Sequence, residues 1–248
     1  MPSVSVIIPY RDRGTDPLRQ ANLDRVLQHW ADYHTPVTVV SDDRTGPFNR
    51  SHAYNRAIQA STADILVLTE ADMLIDYEQI DHGIHHAAAQ PGVVIPFTER
   101  HELNPTDSQQ VRDGADQHQY TGEVFKAPRR IGAINIISRE TYNAVGQYDP
   151  TFTGSHWDDR SMELAFHICA GPTRWIDANN HAITKTELKH GVRPTPARAY
   201  HLHHDYGWKG PHLTPEDRAA TLNNQRRFQK YRQATTPDQM RQLTTGYA

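Results

Sequence analysis

A chain of 248 residues, 37% hydrophobic and 22% charged, is long enough to bury a substantial core and too apolar for disorder. Its net charge of −3 supplies no global field to draw it to nucleic acid or an acidic membrane. The single cysteine, Cys169, excludes an internal disulfide framework and fits a reducing compartment, with the residue itself expected in the core. No apolar run reaches membrane-spanning length, and MPSVSVIIPYRDR meets its arginines too soon for a signal peptide, so a cytoplasmic protein without stable membrane insertion is expected.

In chain order, SVSVIIP at 3–9 is β-branched, stops at a proline and reads as a buried strand. Residues 17–33 set Leu18, Leu23, Val26, Leu27 and Trp30 at helical spacing, with Asp16 before Pro17 as the start signal. PVTVVSDD is a second strand ending in Asp42 and Asp43, NRSHAYNRAIQAS a second helix and ADILVLTEAD a third strand. Strand, helix, strand, helix, strand at this spacing predicts parallel α/β winding. A helix over 77–90 precedes the strand GVVIPF at 92–97. Residues 99–130 are polar and without clear period, which predicts a long mobile loop. Order resumes with the strand IGAINIIS, a short helix ending at Gly146, a helix over DDRSMELAFHICAG and a strand over ARAYHLHHD. A tail helix at 215–233 carries Arg218, Arg226, Arg227, Lys230 and Arg232. The chain is thus expected to form one domain, divided into 1–98, the loop at 99–130, 131–205 and a helical tail at 206–248.

Ligands of open parallel sheets sit beyond the carboxyl ends of the strands. Three such ends carry polar groups here: Tyr10-Arg11-Asp12-Arg13, Asp42-Asp43 and Glu70-Ala71-Asp72. Residues i and i+2 of an extended chain share a face, so Glu70 and Asp72 are expected to address one ligand. Two carboxylates aimed together repel unless a cation or proton intervenes, and a divalent metal gripping a diphosphate would relieve this. Neither the glycine-rich dinucleotide signature nor the P-loop is present, so phosphates would rely on metal and on Arg11, Arg13 and Arg50.

These residues resemble a known family. VIIPYRDR resembles the P-F-R-N-R opening of the β-1,4-galactosyltransferases, GPFNRSHAYNRA is similar to their F-N-R-A segment, and LTEADM stands where they have a D-x-D metal motif. IGAINIISRETYNAVGQYDPTFTGSHWDD is similar to the stretch leading to their tryptophan-and-acid acceptor motif. The four occur in order over roughly residues 3–170. The resemblance implies the GT-A nucleotide-diphospho-sugar transferase fold, with a mostly parallel central sheet flanked by helices. It also implies transfer of a hexose or N-acetylhexosamine from a UDP-sugar to an acceptor hydroxyl, with inversion. Carried over, Pro9, Tyr10, Arg11 and Arg13 hold uridine and diphosphate, and Phe48 and Arg50 flank the nucleotide. Asp42 or Asp43 meets base or ribose, Asp72 ligates the metal, and Glu70 contacts ribose or a metal-bound water. Asp159 is the base and Asp158 orients the acceptor.

The chain departs from that pattern in using Glu at the first acid of the triplet and HWDDRSME in place of W-G-G-E-D-D. DDRSMELAF is also similar to a segment of the polypeptide N-acetylgalactosaminyltransferases, which retain configuration, so a retaining transferase is the alternative. In YHLHHD, a strand over 199–204 would put His201 and His203 on one face with His204 pointing away. Relatives of the fold supply a late histidine to the metal, a place for His201 or His203. Carboxylate, imidazole and phosphate together favour Mn2+ over Mg2+. The acceptor stays open among saccharide, glycolipid, protein side chain and modified nucleobase. The rival functions are a sugar-nucleotide-binding protein without turnover and a nucleic-acid-binding protein acting through residues 126–130 and the tail.

Overall fold

β1 (Val4–Pro9) buries Val6, Ile7 and Ile8 completely, as a strand flanked on both sides must. The computed structural model describes residues 2–14, 16–128, 132–205 and 210–246. After β1, α1 (Pro17–Trp30) starts where Asp16 accepts the Leu18 amide at 2.9 Å, and it buries Leu23, Val26 and Trp30. β2 (Val37–Val40) follows, then α2 (Arg50–Ala60), whose cap Asn49 accepts the His52 amide at 2.8 Å. The stretch expected as one strand from 63 to 72 gives β3 (Ile65–Thr69), a turn, and then β4 (Met73–Ile75). α3 (Tyr77–Ala89) matches its expected span, whereas the strand expected over 92–97 contracts to β5 (Val94–Ile95).

Residues 99–128 are not a structureless loop. They form β6 (Glu99–Glu102), α4 (Pro105–Arg112), a 3-10 turn at Gln117–Gln119 and β7 (Glu123–Lys126). The polar pattern misled because β6 buries charge in pairs instead of apolar side chains. Glu99 meets Lys126 at 3.1 Å across the strands, and Arg100 pairs with Glu102. Residues 129 and 130 of the expected loop, and part of the basic segment 126–130, lie outside the described residues.

β8 (Ile134–Ser138), α5 (Arg139–Val145), α6 (Asp158–Cys169), β9 (Arg174–Ile176), β10 (Ala182–Thr184), α7 (Lys185–Lys189), β11 (Arg198–His201), α8 (Pro215–Gln233) and α9 (Pro237–Thr245) complete the chain. The larger sheet has the order β10-β9-β5-β8-β3-β1-β2. It is parallel at β1–β2, β1–β3 and β5–β9, while β8 runs antiparallel to both β3 and β5, so the expected mostly parallel sheet is a mixed one. α2 packs on β1 and β2, and α3 on β3, β5, β8 and β9. A second sheet, β4-β11-β6-β7, starts where the chain leaves β3 and turns into β4. That division places residues 70–72 at the seam of the two sheets. Among the described residues no helix is long and apolar enough to cross a membrane.

Candidate metal and donor site

The seam answers the question of the two carboxylates. β3 ends at Thr69 and β4 begins at Met73, so Glu70, Ala71 and Asp72 form a turn. Alternation of an extended strand therefore does not govern them, and the two acids have different partners. Asp72 is 3% exposed and faces β11 and the chain beyond it. Its Oδ2 lies 3.1 Å from His204 Nε2, and its Oδ1 lies 3.6 Å from His201 Nε2. Arg19 of α1 stands 4.0 Å from the same carboxylate. Burial works against charge on Asp72, yet His201, His204 and Arg19 hold its carboxyl well below the ordinary carboxylate range.

The donor atoms of Asp72, His201 and His204 lie within 4.8 Å of one another. Asp72 Oδ1 is buried without a hydrogen-bond partner among the described residues, as expected for an oxygen reserved for a cation. One carboxylate and two imidazoles can hold a divalent cation. His204 takes the place expected of His203. β11 ends at His201, after which Leu202 donates to the Asp72 carbonyl at 2.9 Å and Asn22 binds the Leu202 and His203 carbonyls. With the strand finished, the chain turns: the His203 amide goes to Ser108 Oγ at 2.8 Å and the His204 ring swings to Asp72.

Glu70 belongs to a second cluster. Arg50, at the first turn of α2, donates to Glu70, to Asp158 through Nε at 3.1 Å and Nη2 at 2.6 Å, and to Asp159 through Nη2 at 2.6 Å. Burial disfavours the Arg50 charge, but Asp158, Asp159 and Glu70 outweigh that and raise its pKa. Burial pushes Glu70 up despite the pull of Arg50, and the charge on Asp72 adds to the rise. Asp159 is pushed up to about 7 by burial, with Arg50 opposing and the charges of Asp158 and Glu70 reinforcing. Asp158 and Asp159 begin α6 without capping it: neither the cap residue Trp157 nor these acids spend a side chain on the helix amides. His156 and Trp157 both have left-handed backbones, φ 74° and 76°, costing about 1–3 kcal/mol each. Asn224 of α8 holds that turn through the carbonyls of Thr153 at 2.8 Å, Ser155 at 3.3 Å and His156 at 3.1 Å.

The remaining residues named from sequence form a third group around β1 and β2. Pro9 ends β1, and Tyr10 donates its amide to Val40. Arg11 binds the buried Asp42 at 2.9 Å and the carbonyls of Arg44 and Gly46, with its guanidinium 5.6 Å above the Phe48 ring. Asp42 also accepts the Asn49 amide at 2.9 Å, so both its oxygens are spent within the fold. Asp43 is exposed, at φ 50°, and pairs with Arg56. Arg13 reaches α8 and binds Asp217 at 2.7 Å. Of the expected tail cations, Arg227 is committed to Asp149 at 2.8 Å, while Arg218, Arg226, Lys230 and Arg232 are exposed. Two residues escaped sequence reading: Glu102, 2.8 Å from His201 Nδ1, and Arg19. Nothing in ERHEL or LRQAN marks either one, since both partnerships arise from long-range packing.

No protein-family model matches the chain, and no curated protein does either. Among solved structures it superposes on GalNAc-T7, determined with UDP, GalNAc and Mn2+, with a TM-score of 0.54 and 14% identity over 94% of this chain and 50% of that one. A mannosyltransferase from Pyrobaculum calidifontis, determined with GDP-Man and Mn2+, gives 0.45 at 15% identity over 98% of this chain and 68% of that one. A Drosophila β1,4-galactosyltransferase 7, determined with manganese, UDP-Gal and xylobiose, gives 0.42 at 15% over 65% of this chain. The chain spans 59% of that Drosophila chain. The likeness establishes the fold class: an α/β architecture of GT-A type, with a central sheet flanked by helices.

Proposed function

We propose that the chain is a metal-dependent glycosyltransferase that moves a hexose or N-acetylhexosamine from a UDP-sugar to an acceptor hydroxyl with inversion. The observation that carries this reading is the buried Asp72, with one oxygen unpartnered, facing two histidines at the carboxyl end of β3. Asp72, His201 and His204 would hold Mn2+, which when bound supplies positive charge to the departing diphosphate. Tyr10, Arg11 and Phe48 would flank the nucleotide, Phe48 offering its ring to the base. Because Asp42 is spent on Arg11 and Asn49, its part is to fix that arginine.

Asp159 would be the base. It would take the proton of the acceptor hydroxyl as that oxygen bonds to the anomeric carbon; the bond to the diphosphate breaks and UDP leaves with the electron pair. A carboxyl pushed up to about 7 suits a base working near neutrality. Asp158 would orient Arg50 and, through it, Asp159. A uridine nucleotide is preferred over a guanosine one because VIIPYRDR and GPFNRSHAYNRA resemble segments of UDP-galactose users.

The test is thermal unfolding with UDP- and GDP-sugars, each with and without Mn2+. A ligand at a hundred times its Kd stabilises by about 2.7 kcal/mol, roughly 5–10 °C in Tm for a chain of this size. A UDP-sugar should give that shift only with Mn2+, and Asp72→Asn should abolish it. An equal response to both nucleotides, or one independent of metal, overturns the reading. Product stereochemistry then separates inversion from retention.

A further inference from the structure

We infer that Glu102 is a positioning residue for the metal site: it fixes the tautomer and ring orientation of His201, and Arg100 fixes Glu102. This rests on the metal reading above and extends it by one layer of residues. β6 and β11 run parallel with His201 and Glu102 in direct register, so the backbone pairing itself brings the two side chains together. Glu102 Oε2 lies 2.8 Å from His201 Nδ1, while His201 Nε2 points to Asp72 Oδ1.

An imidazole binds metal through a nitrogen that carries no proton, so for Nε2 to ligate, the proton must sit on Nδ1. An ionised carboxylate accepts and cannot donate, and at 2.8 Å it selects the Nδ1–H form. Glu102 is itself restrained, because its other oxygen, Oε1, accepts from Arg100 Nη2 and the Arg100 residue is buried. The relay therefore runs Arg100, Glu102, His201, with each group holding the next. His204 is arranged differently: its Nδ1 lies 2.6 Å from the Asp205 carbonyl, a backbone acceptor, and 3.2 Å from the donor Nη1 of Arg19, so no carboxylate fixes its tautomer. Both imidazoles thus present Nε2 to Asp72, and both have an acceptor behind Nδ1.

The experiment compares the full chain with Glu102→Leu and Glu102→Gln. Free Mn2+ is titrated by electron paramagnetic resonance, and the His201 tautomer is read from 15N imidazole shifts without metal. Leucine removes the acceptor and should weaken Mn2+ binding roughly 10–100-fold, the scale for losing such a support, and shift His201 from the Nδ1–H form. Glutamine keeps an acceptor oxygen without the charge and should recover most of the affinity and the parent tautomer. If leucine prevents folding, Glu102→Ala takes its place with the same two readouts, since it also removes the acceptor. A parent that binds Mn2+ while Glu102→Leu binds it within twofold, with the tautomer unchanged, overturns the inference but leaves the metal reading standing. A parent that does not bind Mn2+ overturns both.

Discussion

Among the described residues Arg50 is the cation that pairs with all three carboxylates, Glu70, Asp158 and Asp159, and its removal is the sharpest probe of the acid cluster. Its side chain is 16% exposed, and those of Asp158, Glu70 and Asp159 are 10%, 26% and 35% exposed. Breaking a buried ion pair from one side costs about 3–5 kcal/mol because the partner charge is left uncompensated. Two of the three acids retain water, which places Arg50→Met at the low end, about 3 kcal/mol, or roughly 6–12 °C in Tm. The sign of the pH dependence follows from Asp159. Its carboxyl is raised in the fold, so the folded state holds its proton more tightly than the unfolded chain between the ordinary carboxylate range and about 7. Above that window the acid is charged and depends on Arg50; within it the proton that the folded state holds removes most of that dependence. Urea unfolding in EDTA should therefore show a larger deficit for Arg50→Met at pH 8 than at pH 5, and Arg50→Lys should fall between variant and parent. A deficit equal at both pH values would mean that Arg50 contributes packing alone, and the electrostatic reasoning would fail.

His204→Ala should weaken Mn2+ binding by at least roughly tenfold, as loss of a ligand should exceed loss of its support, while His203→Ala leaves it within twofold; the reverse order would restore the strand reading of 199–204. Asp159→Asn should bind UDP-sugar normally and transfer at least about a hundredfold more slowly, and the parent kcat/KM should rise through pH 7 as Asp159 loses its proton, checked by initial rates across pH 5.5–8.5. Asn224→Leu should release the left-handed turn at His156 and Trp157, lowering Tm and kcat together; a kcat equal to the parent's would show that the turn does not set the position of Asp159.

β1, β2, β3, β5 and β8 of the larger sheet, with α1, α2, α3 and α5, were legible because their signals are local, whereas β9 and β10 were not read from the sequence. Asp16 and Pro17 start α1, the β-branched run SVSVIIP gives β1, and the expected tail helix at 215–233 coincides with α8. Of the second sheet β11 was legible in ARAYHLHHD, but β4, β6 and β7 were not. Its strands are short, and β6 reads ERHE, a polar run made burial-tolerant by Lys126 and by pairing within the strand. That hidden sheet also decides the metal cluster. Where β11 stops cannot be read from YHLHHD, yet its end at His201 exchanges the expected His203 for His204. Asp72 itself was visible as the acid closing an apolar run, and Arg50 as the arginine of FNRS, but the convergence of Arg50 with Glu70, Asp158 and Asp159 joins residues more than a hundred positions apart in sequence.

The role of α8 ties these observations together. A helix with so few apolar residues has little hydrophobic reason to dock, and four of its cations are exposed. It docks through polar anchors instead. At its start, Asp217 caps the helix from within a capping box and also grips Arg13, which leaves the end of β1. Two turns on, Asn224 holds the carbonyls of Thr153, Ser155 and His156, and further on Arg227 and Tyr231 clamp the buried Asp149 at 2.8 and 2.9 Å. One rigid element thus spans from the loop expected to meet the diphosphate to the turn that delivers Asp158 and Asp159. Helices transmit position well because their rise per residue is fixed, so in the proposed transferase α8 would set the separation between donor-side and acceptor-side groups. Group transfer depends on that separation, since a displacement of about 1 Å between reacting groups can cost a hundredfold in rate. On the proposed reading α8 is part of the apparatus that positions the site, and its polar anchors follow from that role.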